Sequence, residues 1–260
     1  MVRVALTIAG SDPSGGAGIQ ADLKTFHQFG AYGTSVVTLL TVQNTLRVGE
    51  IRILEASFVG DQLDAVLEDI PPHAAKTGAL GSAAIIRLIG ARATRFDFPL
   101  VVDPVMISKH GAPLLAEEAW SALVEHLIPR AFLVTPNLHE AGVLAAMEVS
   151  DIVTMEKAAE RIAALGARAV LVKGGHLADK AVDVLYWGGD MRHFSAPRIE
   201  TKHTHGTGCT YSAAITAGLA AGSDLPEAVR AAKRFISAAI QSSPGLGKGY
   251  GPVNHHARTE

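Results

Sequence analysis

Val4-Ala5-Leu6-Thr7-Ile8-Ala9 runs into Gly10-Ser11-Asp12-Pro13-Ser14-Gly15-Gly16-Ala17-Gly18 and then into Ile19-Gln20-Ala21-Asp22-Leu23-Lys24. The first run is almost continuously apolar, as a strand covered on both faces must be. Four glycines within nine residues then make a turn, and a helical pattern opens directly behind it. Strand, glycine turn and helix in that order begin an α/β fold with a parallel sheet.

The rest of the chain keeps that rhythm. Ser35 to Val42, Leu100 to Val102, Phe132 to Thr135 and Ala169 to Val172 read as further buried strands. Between them lie amphipathic stretches. Phe58, Leu63, Val66, Leu67 and Ile70 fall on one helical face, and so do Leu225, Val229, Ala232, Phe235, Ile236 and Ile240. Ser82 to Ile89 and Thr154 to Leu165 behave alike. One region departs: Val182 to Trp187, the turn Gly188-Gly189-Asp190, and Met191 to Ala196 predict a β-hairpin. The reading is a doubly wound, mostly parallel sheet with flanking helices and a small β-hairpin excursion, in one domain over residues 1–260.

Composition bounds the function. The 260 residues carry a formal net charge of -2, with 48% hydrophobic and 18% charged residues. Such a chain is not disordered and lacks the basic face that nucleic-acid binders carry. The lone cysteine, Cys209, forms no internal disulfide and belongs to no multi-cysteine zinc framework. No apolar run approaches the ~18 residues of a membrane span, and no secretory leader is legible. A cytoplasmic protein without membrane partners is expected.

In open α/β sheets ligands bind beyond the carboxyl ends of the strands. Polar groups stand at five such exits: Gly10-Ser11-Asp12, Gln43-Asn44, Asp103-Pro104, Thr135-Pro136-Asn137 and Lys173-Gly174-Gly175. Gly16-x-Gly18-x-x-Ala21 satisfies a relaxed dinucleotide pattern, but the next strand ends in neutral Gln43-Asn44 where an acid is needed. A second glycine turn, Thr204-His205-Gly206-Thr207-Gly208-Cys209-Thr210, precedes a helix of small residues from Tyr211 to Ala221. Its amides can converge on an anion with the helix dipole behind them, whereas the alternative is a plain helix entry. No P-loop pattern occurs, and Gly245-Leu246-Gly247-Lys248-Gly249 has no helix after it. Cys209 in the first turn of that helix is expected to have a lowered pKa. His203, His205 and Cys209 match no common zinc spacing.

Five blocks then resemble one family. Thr7 through Lys24, Val42 to Thr45, Thr135-Pro136-Asn137-Leu138-His139-Glu140, Lys173-Gly174-Gly175-His176 and Thr204 through Cys209 occur in the order found in hydroxymethylpyrimidine/phosphomethylpyrimidine kinases of the ribokinase-like superfamily. The resemblance extends from Thr7 to about Gly251. It implies two successive phosphorylations with ATP and Mg²⁺, first of 4-amino-5-hydroxymethyl-2-methylpyrimidine and then of its monophosphate, in thiamine biosynthesis. By the same resemblance Gln43 and Asp22 meet the ring, and Gly10 and Ala17 line its pocket. Gly206, Thr207 and Gly208 form an anion hole, with Cys209 where related sugar kinases place a base. Asn137, Glu140 and Lys173 lie near the nucleotide phosphates, with Glu140 and Asp103 as candidate metal contacts. A homodimer is implied as well. Ala79 stands where the family often has methionine, so acceptor selectivity is open, and some relatives phosphorylate pyridoxal or pyridoxine. A nucleotide-binding protein without turnover and a dinucleotide oxidoreductase are the alternatives.

Overall fold

The computed structural model describes residues 2–107, 111, 114–115, 118–175 and 180–259. Its strands are β1 (Arg3–Ser11), β2 (Ala31–Gln43), β3 (Val48–Ile53), β4 (Ala74–Thr77), β5 (Leu100–Val102), β6 (Leu133–Val134), β7 (Ala169–Val172), β8 (Lys180–Trp187) and β9 (Asp190–Pro197). Helices α1 (Gly18–Gln28), α2 (Ala56–Asp69), α3 (Ala83–Ala93) and α4 (Glu118–Ala122) occupy the first half. Helices α5 (Leu138–Ala145), α6 (Ile152–Ala164), α7 (Thr207–Ala220) and α8 (Leu225–Gln241) complete the set.

The described strands form one sheet in the order β3-β2-β1-β4-β5-β6-β7-β8-β9. Pairing is parallel from β2 through β7 and antiparallel for β3 and for the β8–β9 hairpin. The hairpin extends the sheet, since Ala169 to Val172 of β7 pair with Trp187 to Val184 of β8. Its turn is Gly188-Gly189 alone, at φ 64 and 88, with Trp187 already opposite Asp190. Both angles lie in the left-handed region that a type I′ hairpin turn requires.

Each central strand feeds two cores, which explains the near-continuous apolar runs. Leu6, Ile8, Leu100, Val102, Val170 and Val172 point to one face, under α2, α3, α5 and α6. Ala5, Val101, Ala169 and Leu171 point to the other, under α1, α7 and α8. Truncating a fully buried leucine such as Leu6 to alanine therefore costs about 2–5 kcal/mol.

Caps fix where the helices begin. The Ser82 hydroxyl accepts from Ile85 N at 3.3 Å, and Asp224 accepts from Glu227 N at 2.8 Å. Asp151 and Thr154 form a reciprocal capping box. The buried face of α2 differs from the sequence expectation: Val59 and Leu63 are fully buried, whereas Phe58 is 56% exposed and Ile70 lies beyond the helix. Val59, one position on from Phe58, is the one that joins the core beneath α2. No helix among the described residues is long and apolar enough to cross a membrane.

Candidate active site

A cleft of about 780 Å³ opens beyond the carboxyl ends of the central strands. Residues from all five predicted strand exits reach its wall: Gly10, Gln43, Asp103, Asn137 and Lys173.

The turn after β1 is folded by one carboxylate. Asp12 accepts from Ser14 N (2.9 Å), the Ser14 hydroxyl (2.7 Å) and Ala17 N (2.9 Å), which delivers the chain to α1. Burial alone would raise the Asp12 carboxyl, but hydrogen bonds from His205 and Ser14 outweigh it and hold Asp12 below its ordinary value. Gly18 stands at φ +56, and a Cβ there would come within 2.2 Å of Gly10 O. Glycine is required at this closure.

The second glycine turn begins α7. Gly206 is its left-handed N-cap at φ 78, and a Cβ on it would lie 1.7 Å from Gly16 O. The two glycine turns therefore pack backbone to backbone. Thr207 gives both its amide (3.3 Å) and its hydroxyl (2.8 Å) to Thr204 O, locking the turn. First-turn amides have no partner within a helix, so those of Gly208 and Cys209 stand at the cleft with the helix dipole behind them. A Cβ on Gly208 would lie 3.3 Å from Lys173 Nζ. The absence of a side chain brings that ammonium onto the helix mouth.

Lys173 also pairs with Asp103 at 2.9 Å, and Asp103 accepts from the Thr135 hydroxyl at 3.2 Å and the Ser212 hydroxyl at 3.3 Å. Burial penalises the Lys173 ammonium, yet attraction to Asp103 and Glu140 outweighs it and holds Lys173 above its usual value. Asn137 and Glu140 form the capping box of α5: Asn137 Oδ1 accepts from Glu140 N at 2.9 Å, and Glu140 Oε2 accepts from Asn137 N at 2.8 Å. Burial pushes the Glu140 carboxyl up to about 7 against the pull of Lys173.

Cys209 departs from expectation. Burial pushes its thiol up to about 12, and the charge on Asp22 adds to the push, while Lys76 and a hydrogen bond from the Gly18 backbone oppose it. Desolvation and the charges on Asp22 and Asp103 together prevail, so the thiol is raised and not lowered. Asp22 itself lies behind the cleft wall, fully buried, and not on it. Its Oδ2 takes Lys76 Nζ at 2.8 Å and the Thr7 hydroxyl at 2.6 Å. Burial raises Asp22, and Lys76 counters; burial also penalises Lys76, but Asp22, Cys209 and Asp103 more than compensate. The two groups form a fully buried, hydrogen-bonded pair.

Asp183, Tyr211 and Lys233 line the cleft and were not among the expected site residues. Asp183 of β8 accepts from Lys233 Nζ (2.7 Å), the Tyr211 hydroxyl (2.9 Å) and Gly174 N (3.0 Å). This ties the loop that follows Lys173 to α7 and α8. None sits in a turn, so no glycine or proline marks them. The one available signal is a lysine among the apolar positions of α8.

A family model described as phosphomethylpyrimidine kinase matches residues 12–254. The chain belongs to this family. It is 44% identical over 256 residues to the hydroxymethylpyrimidine/phosphomethylpyrimidine kinase of Bacillus subtilis, covering 97% of this chain and 94% of that protein. It is 53% identical over 252 residues to the thiamine biosynthesis bifunctional protein ThiED of Geobacter sulfurreducens, covering 96% of this chain and spanning only 51% of that protein. The solved ADP complex of Bacillus subtilis pyridoxal kinase superposes with a TM-score of 0.92 at 42% identity, covering 99% of this chain and 98% of that one.

Within this phosphomethylpyrimidine kinase family member, the family-derived positions fall into groups. Gly10, Ala17, Gln43 and Ala79 all line the cleft, and the turn at Gly206 to Cys209 meets Gly16 and Ala17 through Gly206 and Lys173 through Gly208. Gly16 has a use unrelated to a pyrophosphate: a Cβ there would come within 2.6 Å of the His205 ring. No cluster of three or more metal-type ligands occurs among the described residues, so the His203, His205 and Cys209 spacing forms no zinc site there. His176 lies outside the described residues.

Proposed function

We propose that this chain, acting as a single kinase domain over residues 1–260, phosphorylates 4-amino-5-hydroxymethyl-2-methylpyrimidine from ATP and then converts the monophosphate to the diphosphate, in thiamine biosynthesis. The observation that carries this is the first turn of α7, set between the neutral amide of Gln43 and the part-buried ammonium of Lys173. Gln43 offers a donor and an acceptor to an aminopyrimidine edge, with Gly10 and Ala17 as the close walls. The amides of Gly208 and Cys209 face the transferring phosphoryl, with Gly206 and Thr207 shaping the turn. Lys173 neutralises the growing charge on the leaving side.

In the first step the hydroxymethyl oxygen forms a bond to the γ-phosphorus, the bond to the β–γ bridging oxygen breaks, and ADP leaves. The hydroxyl proton goes to the Cys209 thiolate. In the second step the nucleophile is a phosphate oxygen, already anionic at neutral pH, so no proton must move. Phosphoryl transfer is chiefly positioning and charge stabilisation, which the same hole supplies to both steps. Asp22 acts on the thiol through charge from behind the wall.

Mg²⁺ is commonly held by one or two carboxylates together with substrate phosphates. Asp103 and Glu140, two buried acids beside Lys173, fit that pattern and would hold it, with Asn137 keeping Glu140 in place. The ion would supply charge neutralisation of the phosphates.

The direct test is ATP-dependent phosphate incorporation into hydroxymethylpyrimidine, with pyridoxine as competitor. No incorporation into either acceptor would support a binding protein. Pyridoxal is the second acceptor reading, favoured by the small side chain of Ala79 on the cleft wall and by the likeness to a pyridoxal kinase. We further infer a cytoplasmic homodimer. Its support is the exposure of Leu40 (47%), Val42 (61%) and Ile53 (46%) on β2 and β3. Sedimentation at micromolar concentration tests it, and a monomer there refutes it.

A further inference from the structure

His205 belongs to no role assigned so far, yet it is where four parts of the site meet. Its Nε2 lies 2.7 Å from Asp12 Oδ2 and 3.3 Å from Gln43 Nε2. His205 and Asp12 are each only 3% exposed. Through Asp12 the imidazole is joined to Ser14 and Ala17, which shape the acceptor loop. Through its own backbone it is joined to the C-terminal segment: His205 N donates to Gly251 O at 3.0 Å, and Val253 N donates to His205 O at 3.3 Å. The next residue, Gly206, opens the anion hole against Gly16.

We propose that His205 is a positioning residue that sets the spacing between the acceptor pocket and the anion hole, acting through Asp12 and Gln43 on one side and Gly206 on the other. This rests on the acceptor reading of Gln43. Its Nε2 is the atom in contact with both partners, so the position of that nitrogen matters more than the bulk of the ring. Phosphoryl transfer depends on alignment of acceptor oxygen and phosphorus, and a displacement of about 1 Å can cost roughly 10²-fold in rate. The nucleotide end has its own set of contacts, Lys173 to Asp103 and Asp183 to Lys233 and Tyr211. A shift of this hub therefore weakens use of the acceptor far more than use of ATP.

The experiment compares His205→Gln, His205→Asn and His205→Ala with the wild type, at a temperature where each is folded by circular dichroism. Glutamine places a nitrogen near the Nε2 position, asparagine near Nδ1, and alanine places none. Expected is a fall of about 10²-fold in acceptor kcat/KM for the alanine and asparagine variants, with the KM for ATP within about threefold. His205→Gln should recover at least tenfold of that loss. Asp12→Asn should reproduce the defect, and combining it with His205→Ala should add little, because both act through one contact. Equal losses for all three His205 variants, a KM for ATP rising in step with that for acceptor, or additive losses in the double variant each overturn the proposal. Wild-type turnover is measured first. Its absence overturns the kinase reading along with this one, whereas normal wild-type turnover with an unaffected His205→Ala overturns the positioning role alone.

Discussion

Cys209→Ala, assayed separately on the hydroxymethyl acceptor and on its monophosphate, tests what the thiol contributes. With the thiol pushed up to about 12, only ~10⁻⁵ of Cys209 is thiolate at pH 7, and that share grows tenfold with each pH unit. If the thiolate takes the hydroxyl proton, the wild-type first step accelerates about tenfold per unit between pH 6 and 9, provided chemistry limits the rate. A positioned base is worth ~10²- to 10⁴-fold, and scarcity of the ionised form places Cys209 at the lower end at pH 7. The expected loss in Cys209→Ala is therefore about 10²-fold at pH 7 and larger at pH 9, with the pH slope gone. The second step, whose nucleophile has its upper pKa near ~6, should change by less than about threefold. Single-turnover quench-flow with each acceptor separates the steps. Equal losses in both, or a wild-type first step flat from pH 6 to 9, would refute proton transfer to Cys209.

Three further changes probe the frame of the site. Lys76→Met leaves the buried Asp22 carboxylate unpaired, which costs about 3–5 kcal/mol and lowers the melting temperature by roughly 6–20 °C; adding Asp22→Asn should recover most of it, and a double variant no more stable than Lys76→Met would count against an ionised pair. Glu140→Gln keeps the capping box but cannot ionise. Because burial raises Glu140 from 4.5 to about 7, its proton stabilises the folded state fully below pH 4.5, and that contribution, about 3 kcal/mol, is lost as pH rises through 7. Denaturant unfolding across pH 4.5–7 should lose that slope in the variant, and an unchanged slope would place the titration elsewhere. Gly206→Ala puts a Cβ 1.7 Å from Gly16 O at a left-handed φ, so activity should fall by roughly 10²-fold or more with a lower melting temperature; near-normal turnover would show that the turn is not the phosphoryl site.

The parts of the fold that follow from hydrophobic pattern were legible. Leu100–Val102 and Ala169–Val172 match their predicted bounds because strands buried on both faces admit no polar residue to blur their ends. Strand β4 was not legible. Its four residues Ala74-Ala75-Lys76-Thr77 are all buried, yet small side chains and a lysine carry no strand signature. Lys76 is tolerated there only because Asp22, 54 positions earlier, lies against it. Strand β3 was missed for the opposite reason: it is an edge strand with exposed Glu50 and Arg52 and a glycine within it. The cleft was legible at its strand exits because topology sends those residues to one side. Asp183, Tyr211 and Lys233 lie inside regular elements, where only three-dimensional neighbours reveal a shared network. Cys209 stands in the first turn of α7 as the sequence predicts, but its thiol is raised where a lowered one was expected. A helix dipole can be read from sequence, whereas the burial that opposes it cannot.

The contact between Asp12 and His205 spans 193 positions, and the backbone that seats His205 comes from Gly251 and Val253. During synthesis, at roughly 5–20 residues per second, Asp12 and Gln43 leave the ribosome some 10–50 seconds before those last partners exist. For that interval the growing chain can close its early strands, but the turn after β1 has no imidazole to hold it and no glycine turn at Gly206 to pack against. Ligand present in the cell cannot stabilise such a chain through a finished cleft, and cleavage after Ile240 would take away the support of the turn at Asp12. Within this chain the turn at Asp12 is made long before the residues that complete its contacts.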